Sequence, residues 1–140
     1  MTRERYNYYR FEAQLSKPQG NARILVLEDD ATLRASIRVT LEETGYVCLE
    51  AQDQHEALKI LFEEGGRPVE LIVSELELLD GSGSDLLKVL SSYLRLARIP
   101  IVVLSETTPL YVRPGAARVV GRLEKPFDMK KLLELVDASV

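Results

Sequence analysis

The sequence predicts an α/β domain with a parallel β-sheet and helices on both faces of the sheet. Short apolar runs that end in polar residues alternate with segments whose apolar residues recur at helical spacing, and this alternation repeats about five times. Strands that alternate with helices indicate right-handed βαβ units. The chain of 140 residues, 46% of them apolar and 29% charged, has the size and balance of one globular domain with its own core.

The composition argues against several classes of function. A net charge of -4 argues against a dominant nucleic-acid surface, and no apolar run approaches the roughly 18–20 residues of a membrane span. The amino terminus has no apolar signal core, so we expect a cytoplasmic protein. Cys48 is the only cysteine, so no internal disulfide can form. His55 is the only histidine, which argues against a histidine-rich metal site and a Ser-His-Asp triad.

Residues 1–21 differ from the rest, and we expect a leader and linker ahead of a domain that spans residues 22–140. The leader holds four of the nine aromatic residues, among several arginines, and residues 17–21 have the composition of a linker. A frayed leader and a docking or dimerisation segment both fit this pattern, with basic-aromatic contact to nucleic acid as a lesser alternative. The four aromatic residues are Tyr6, Tyr8, Tyr9 and Phe11.

Two strand–helix units follow the leader. Residues 24–27 are continuously apolar and end in acids, which is typical of a strand buried on both faces. Asp30 is placed to cap the next helix, and Gly45 suits the left-handed residue that ends it. Residues 46–51 predict the second strand, and Asp53 with an acid three residues later predicts a helix to about residue 64.

The third unit is central to the chain. Residues 71–74 predict a buried strand that ends at Glu75, followed by a loop that ends in Asp80-Gly81-Ser82-Gly83. The glycines match neither the Walker pattern nor the GxGxxG fingerprint, so they predict a turn rather than a phosphate-binding loop. From Ser84 the apolar residues predict a helix with an inward stripe. That stripe consists of Leu86, Leu87, Leu90, Tyr93 and Leu94.

The last two units are less regular. Residues 101–104 predict a strand closed by Ser105. Residues 106–117 contain two prolines and a glycine, and a proline in a helix interior costs about 3 kcal/mol, so the fourth helix should be short, displaced or absent. Residues 119–123 predict the fifth strand, and Asp128 is placed to cap the last helix.

Functional groups follow four of the predicted strands. They are Glu28 and Asp29 after the first strand, Glu75 after the third, Ser105 after the fourth and Lys125 after the fifth. Since the carboxyl ends of parallel strands share one edge, we expect one shallow pocket. At about 5 Å and an effective dielectric of roughly 20, each pair of carboxylates repels by about 3 kcal/mol, so the pocket needs cations. Lys125 supplies one, and Mg²⁺ could supply the rest.

Four blocks of the sequence, in order, resemble the receiver domain of two-component response regulators. The resemblance covers residues 22–140. It implies the flavodoxin-like (CheY-like), doubly wound fold with five parallel strands in the order 2-1-3-4-5. A receiver protein is a known example of this strand order. The four blocks are residues 24–30, 71–83, 101–105 and 125–127.

The resemblance also implies roles for the strand-end residues. Glu28 and Asp29 would hold Mg²⁺, with Glu75 and the backbone carbonyl of Glu77 contributing. Ser105 would be the switch hydroxyl that meets a phosphoryl group. Lys125 would pair with the acceptor carboxylate, and the bond from Lys125 to the following proline would be cis.

The phosphoacceptor position departs from the family. Receivers carry an aspartate there, and this chain carries Glu75. The extra methylene moves the carboxylate by roughly 1.5 Å, whereas in-line attack depends on placement to within about 1 Å. We therefore expect no normal phosphorylation. The longer carboxylate could instead reach toward Lys125 or Ser105 and imitate the phosphorylated state.

The signalling face departs as well. Glu106 stands where a small residue usually follows the switch hydroxyl. Arg122 and Leu123 stand near the position of the usual aromatic switch residue, and the segment between residues 105 and 125 is shorter than usual. We therefore expect a rebuilt output surface over residues 106–123.

The sequence favours an atypical receiver, or pseudo-receiver, that is not an enzyme and signals through protein contacts. Its partner would be a histidine kinase, a phosphotransfer protein or an output effector, and a homodimer stays open. We expect no membrane contact, and no direct contact with nucleic acid because the chain ends after the fifth helix. One alternative is a phosphorylatable receiver that uses Glu75, Glu77 or Asp80 with Mg²⁺. Another is a flavodoxin-like enzyme or small-molecule binder, against which the lack of a phosphate-binding loop argues.

Overall fold

The computed structural model describes residues 21–63, 68–80, 86–106 and 118–140. Its five strands form one sheet in the order β2-β1-β3-β4-β5, and every neighbouring pair is parallel. The predicted fold class and strand order are thus confirmed. The strands are β1 Arg23–Leu27, β2 Val47–Ala51, β3 Leu71–Glu75, β4 Ile101–Ser105 and β5 Val119–Glu124.

Six helices connect or follow the described strands. They are α1 Ala31–Glu43, α2 Gln54–Leu61, α3 Leu76–Asp80, α4 Leu86–Ser92, α5 Leu94–Ala97 and α6 Met129–Ser139. Three predictions lie outside the described residues. They are the leader over residues 1–20, the Gly81-Ser82-Gly83 turn, and the irregular helix expected between β4 and β5 over residues 107–117. Within the described part of the chain, no helix combines the length and apolarity needed to cross a membrane.

The three central strands of the sheet, β1, β3 and β4, are buried on both of their faces. Along β1, Leu25 and Leu27 belong to a core shared with α2 and α4, whereas Ile24 and Val26 belong to a second core shared with α1 and α6. Alternate residues of a strand point to opposite faces, so a continuous apolar run is what a sheet covered on both sides requires. Fully burying each such side chain stabilises the fold by about 1.5–3 kcal/mol.

The predicted caps of three helices are confirmed. Asp30, Asp53 and Asp128 each accept a hydrogen bond from a backbone N–H in the first turn of α1, α2 and α6, which satisfies amides that have no partner within the helix. Gly45 has a φ of 95° at the end of α1, where a Cβ would be strained. The Asp30 cap fixes where α1 starts, directly after the acidic residues that follow β1.

Two local predictions are wrong. The segment after Glu75 was expected to be a loop, but it begins with the short helix α3, in a stretch without glycine or proline until residue 81. The helix expected from Ser84 breaks at Tyr93, which is extended (φ -111°, ψ 120°). The break ends the helical period, so Tyr93 and Leu94 are exposed instead of continuing the inward stripe.

Candidate functional site

Register brings the predicted site residues to one edge of the sheet. Glu28 directly follows β1, and the parallel pairing of β1 with β3 sets it beside Glu75, the last residue of β3. Ser105 ends the neighbouring strand β4. Lys125 directly follows β5, and its backbone N–H donates to the Ser105 carbonyl over 2.7 Å. The Lys125-Pro126 peptide bond is cis, as the resemblance implied.

Glu28 is the buried acid at the centre of the site. Its side chain has no solvent exposure, and its Oε1 lies 2.8 Å from Lys125 Nζ. Its Oε2 accepts a hydrogen bond from the Asp30 N–H over 3.1 Å. Within the described residues, Glu28 Oε1 has no hydrogen-bond partner of good geometry, so the ammonium of Lys125 is what neutralises this oxygen. A buried carboxylate without such a partner would be strongly unfavourable.

Arg34, which the sequence analysis did not identify, binds the backbone carbonyl of Glu28. Arg34, on α1, donates from Nη1 to the Glu28 carbonyl over 2.7 Å and from Nε to Glu50 Oε1 over 3.3 Å. Arg38 reaches the other oxygen of Glu50 over 3.2 Å. The available signal was weak: Arg34 lies four residues after the Asp30 cap, on the turn of α1 nearest the strand end. The network ties the end of β1 to the edge strand β2.

The carboxylate of Glu75 is folded back onto the helix that follows it. The residue is 7% exposed, and its Oε2 accepts from the Glu77 N–H over 2.7 Å. Burial raises the pKa of Glu75 above its ordinary value. The positive charge of Lys125 and the N–H of Glu77 oppose this rise, and the negative charge of Glu28 adds to it.

The structure brings together only some of the residues that the sequence grouped. Glu28, Glu75 and Lys125 interact in one buried cluster, and Ser105 is buried next to it. Asp29, in contrast, is exposed. Asp29 lies in a bend of the backbone after the end of β1, so only Glu28 of the two acids is part of the buried cluster.

The expected Mg²⁺ ligands have the right chemistry but not the right arrangement. Carboxylate and carbonyl oxygens suit this ion. However, Lys125 and the Asp30 N–H take the two oxygens of Glu28, and the Glu77 N–H takes one oxygen of Glu75. Across the described ranges, which include all the predicted ligands, no three acidic, histidine or cysteine side chains gather as a metal site. The donors as they stand therefore do not fit a bound Mg²⁺.

Cys48 lies outside this cluster, on β2. It is partly buried. Burial raises the pKa of its thiol to about 12, and the negative charges of Glu50 and Glu42 contribute to that rise. A thiol of this kind is protonated at neutral pH and therefore a poor nucleophile.

Comparison with known proteins gives a consistent result. The family model described as the response regulator receiver domain matches residues 24–137. The phosphate regulon transcriptional regulatory protein PhoB of Klebsiella pneumoniae is 31% identical over 121 residues, which cover 83% of this chain and 50% of that protein. The chain spans about half the length of the curated relatives it matches, 49% and 50% for two of them.

Solved structures agree with the sequence comparison. A response regulator receiver protein from Pseudomonas putida superposes with a TM-score of 0.70 at 28% identity, over 86% of this chain and 99% of that one. The chemotaxis response regulator CheY4 of Vibrio cholerae superposes with a TM-score of 0.71 over 86% of this chain and all of that one. At 23% identity, the second likeness concerns the fold alone.

Proposed function

Since this chain belongs to the response regulator receiver domain family, whose members are signalling domains of two-component systems, we propose that it is an atypical receiver. It signals through protein contacts without a conventional aspartyl-phosphate cycle. Receivers typically bind Mg²⁺ for phosphorylation, and their regulators work with histidine kinases and output domains. Under this proposal, the chain still interacts with such protein partners but does not undergo the Mg²⁺-dependent phosphorylation.

The observation that carries this proposal is the state of the Glu75 carboxylate. A phosphoacceptor needs an oxygen directed at the incoming phosphorus atom. Glu75 is buried, and one of its oxygens is held by the backbone of the next helix at 2.7 Å. Burial also raises the pKa of Glu75 above its ordinary value, because it disfavours the charged form.

The Glu28–Lys125 pair supports the same conclusion. In a receiver that uses Mg²⁺, the acids after the first strand hold the ion. The lysine after the fifth strand pairs with the acceptor carboxylate. Here the two groups neutralise each other over 2.8 Å. The buried acid therefore has its counter-charge within the chain, and we infer that the pocket holds one conformation without an ion.

We further propose that the output face lies around residues 106–123, which follow the buried end of β4 and include most of β5. The partner is a cytoplasmic protein: a histidine kinase, a phosphotransfer protein or an output effector. Along β5, Val120, Arg122 and Glu124 are the exposed positions, so the described part of this face is mixed in character and suits a protein partner. Residues 22–140 would form the signalling domain and residues 1–21 its leader.

Incubation with acetyl phosphate and Mg²⁺, followed by intact-mass spectrometry, tests the proposal. The unmodified protein should gain no phosphoryl group. Glu75→Asp should restore the usual acceptor length and gain one, and Glu75→Gln is the matched control that can accept none. Stoichiometric labelling of the unmodified protein would overturn the proposal.

The working-receiver alternative follows from family membership itself. It predicts labelling of the unmodified chain, and peptide mapping would then assign the group to Glu75, Glu77 or Asp80. The flavodoxin-like binder predicts a coloured protein or retained nucleotide after purification. An absorbance spectrum of the native protein therefore separates this class from both receiver readings.

A further inference from the structure

A second surface lies at the edge of the sheet opposite the acidic site. Helices that connect parallel strands run antiparallel to them, so the last residues of α2 and α4 lie at the amino edge of the sheet. Three large apolar residues are exposed there: Phe62 by 40%, Tyr93 by 52% and Leu94 by 75%. The rings of Phe62 and Tyr93 meet edge to face, with centroids 5.2 Å apart and planes at 76°.

These side chains are presented on a fixed framework. Leu61 and Leu96 are buried directly beside them, and Arg95 donates from Nη2 to the Leu61 carbonyl over 3.4 Å. The end of α2 and the start of α5 are thus joined by a ring contact and by a bond between residues far apart in sequence. A partner would lose little entropy of the Phe62 and Tyr93 side chains, because the two rings already contact each other.

The apolar residues are bordered by positive charge. Lys59 lies one turn before Phe62, Arg95 follows Leu94, and Arg98 lies four residues after Leu94. None of these three cations forms an ion pair with another described residue. Among the described residues, Glu63 is the acid next to Phe62 in the sequence, so the described part of this surface is positive in a protein whose net charge is -4.

We propose that this aromatic–basic surface, made of Lys59, Phe62, Tyr93, Leu94, Arg95 and Arg98, docks an acidic segment of a partner protein. The segment presents apolar side chains flanked by carboxylates. Its apolar side chains cover Tyr93 and Leu94, and its carboxylates meet the three cations, which steer the encounter and fix its orientation. The docking is independent of Glu75, because it uses the other edge of the sheet.

The chain's own leader does not suit this surface. Residues 1–20 contain four basic residues, Arg3, Arg5, Arg10 and Lys17, and two acids, Glu4 and Glu12, so their net charge is 4 minus 2, or +2. The positively charged leader and this positively charged surface repel each other. The repulsion is greatest at the cations of the surface that have no counter-ion in the described chain. Charge complementarity therefore points to an acidic partner from another protein.

Three synthetic peptides test this proposal. They share one amphipathic helical pattern, with leucine and phenylalanine on one face, and their flanking positions are all glutamate, all glutamine or all lysine. We expect the glutamate peptide to shift the amide NMR signals of residues 59–63 and 93–98 in the full chain. We also expect it to bind at least about tenfold more tightly than the lysine peptide, with a preference that weakens as salt is added.

Matched variants locate the contact. Leu94→Ser should weaken binding of the glutamate peptide by about tenfold or more. Val39→Ser, at an exposed apolar position on α1, should leave it unchanged. Lys59→Glu with Arg98→Glu should reverse the preference between the glutamate and lysine peptides. Circular dichroism confirms that each variant is folded.

Several results would overturn the proposal. Equal binding of all three peptides, or signal shifts confined to other surfaces, would remove the charge-specific site. Binding to phosphatidylglycerol vesicles without binding of the glutamate peptide would assign the surface to a membrane. A dimer that dissociates in Leu94→Ser, again without peptide binding, would assign it to a second copy of the chain.

Discussion

Lys125 Nζ lies 2.8 Å from Glu28 Oε1, which links the residue after β5 to the residue after β1 across the two strands between them. Glu28 is fully buried and the lysine side chain is only 12% exposed. A pair with so little access to water is sensitive to the loss of either member, because the remaining charge stays buried without a partner. The pair therefore holds together the edge of the sheet where the functional groups lie.

Replacing Lys125 tests the importance of this pair for stability. Lys125→Met should lower the free energy of unfolding by about 3–5 kcal/mol, since it leaves Glu28 buried and unpaired. The double variant with Glu28→Gln should recover part of the loss, because no unpaired charge remains. Urea denaturation measures both values, with Lys131→Met on the exposed face of α6 as the control. A loss below about 1 kcal/mol would show that the pair behaves like an exposed ion pair.

Arg34 should matter more than its neighbour Arg38. Arg34→Ala removes a charge-assisted hydrogen bond to the Glu28 carbonyl, with a side chain 16% exposed, and should cost about 1.5–3 kcal/mol of unfolding free energy. Arg38→Ala removes only exposed ion pairs to Glu42 and Glu50 and should cost about 0–1 kcal/mol. Chemical denaturation of the two variants gives the comparison. Equal losses would mean that the bond to Glu28 adds nothing.

The stability of the protein should depend on pH through Glu75. Because its pKa is raised in the folded state, the folded protein binds this proton more tightly than the unfolded chain does, and stability falls as pH rises from the ordinary value of 4.5 through the raised value. Glu75→Gln removes this contribution. The difference in unfolding free energy between Glu75→Gln and the unmodified protein should therefore shift in favour of the variant with rising pH. A flat difference, or one of opposite slope, would contradict the raised pKa.

Substitutions of Gly121 test how closely α6 lies against β5. A Cβ built on this residue would lie 2.9 Å from Leu135 Cδ2, which is the flexible end of a side chain. Gly121→Ala should therefore cost less than about 1 kcal/mol, and Gly121→Val about 1–3 kcal/mol. Combining Gly121→Val with Leu135→Ala should recover part of the loss caused by valine, as measured by thermal or urea unfolding. An unchanged loss in the double variant would place the strain elsewhere.

The parts of the fold that sequence reasoning predicted well depend on local chemistry. Asp30, Asp53 and Asp128 cap helices because a carboxylate satisfies first-turn amides wherever a helix starts. Gly45 ends α1 because it accepts a positive φ. The ends of β1 and β3 were equally readable, since their buried apolar runs stop where acids begin. The strand order came from the resemblance, because periodicity does not specify which strands are neighbours.

The predictions that were wrong concern features that depend on residues outside the local sequence segment. No proline or glycine marks the break at Tyr93, so the helical pattern appeared to continue through Leu94. The outward position of Asp29 accompanies a bend of the backbone after β1, which a list of nearby acids does not express. The turning back of the Glu75 carboxylate depends on the helix α3, which was expected to be a loop. The side-chain geometry of the site thus required the tertiary structure.

Titration with beryllium fluoride and Mg²⁺, a mimic of a bound phosphoryl group, tests most directly whether the Glu75 pocket is closed to phosphorylation. Amide NMR signals report the result at Glu75, Glu77 and Ser105. We predict no change in these signals for the unmodified protein and a clear change for Glu75→Asp. Saturable shifts at all three positions in the unmodified protein would contradict the account.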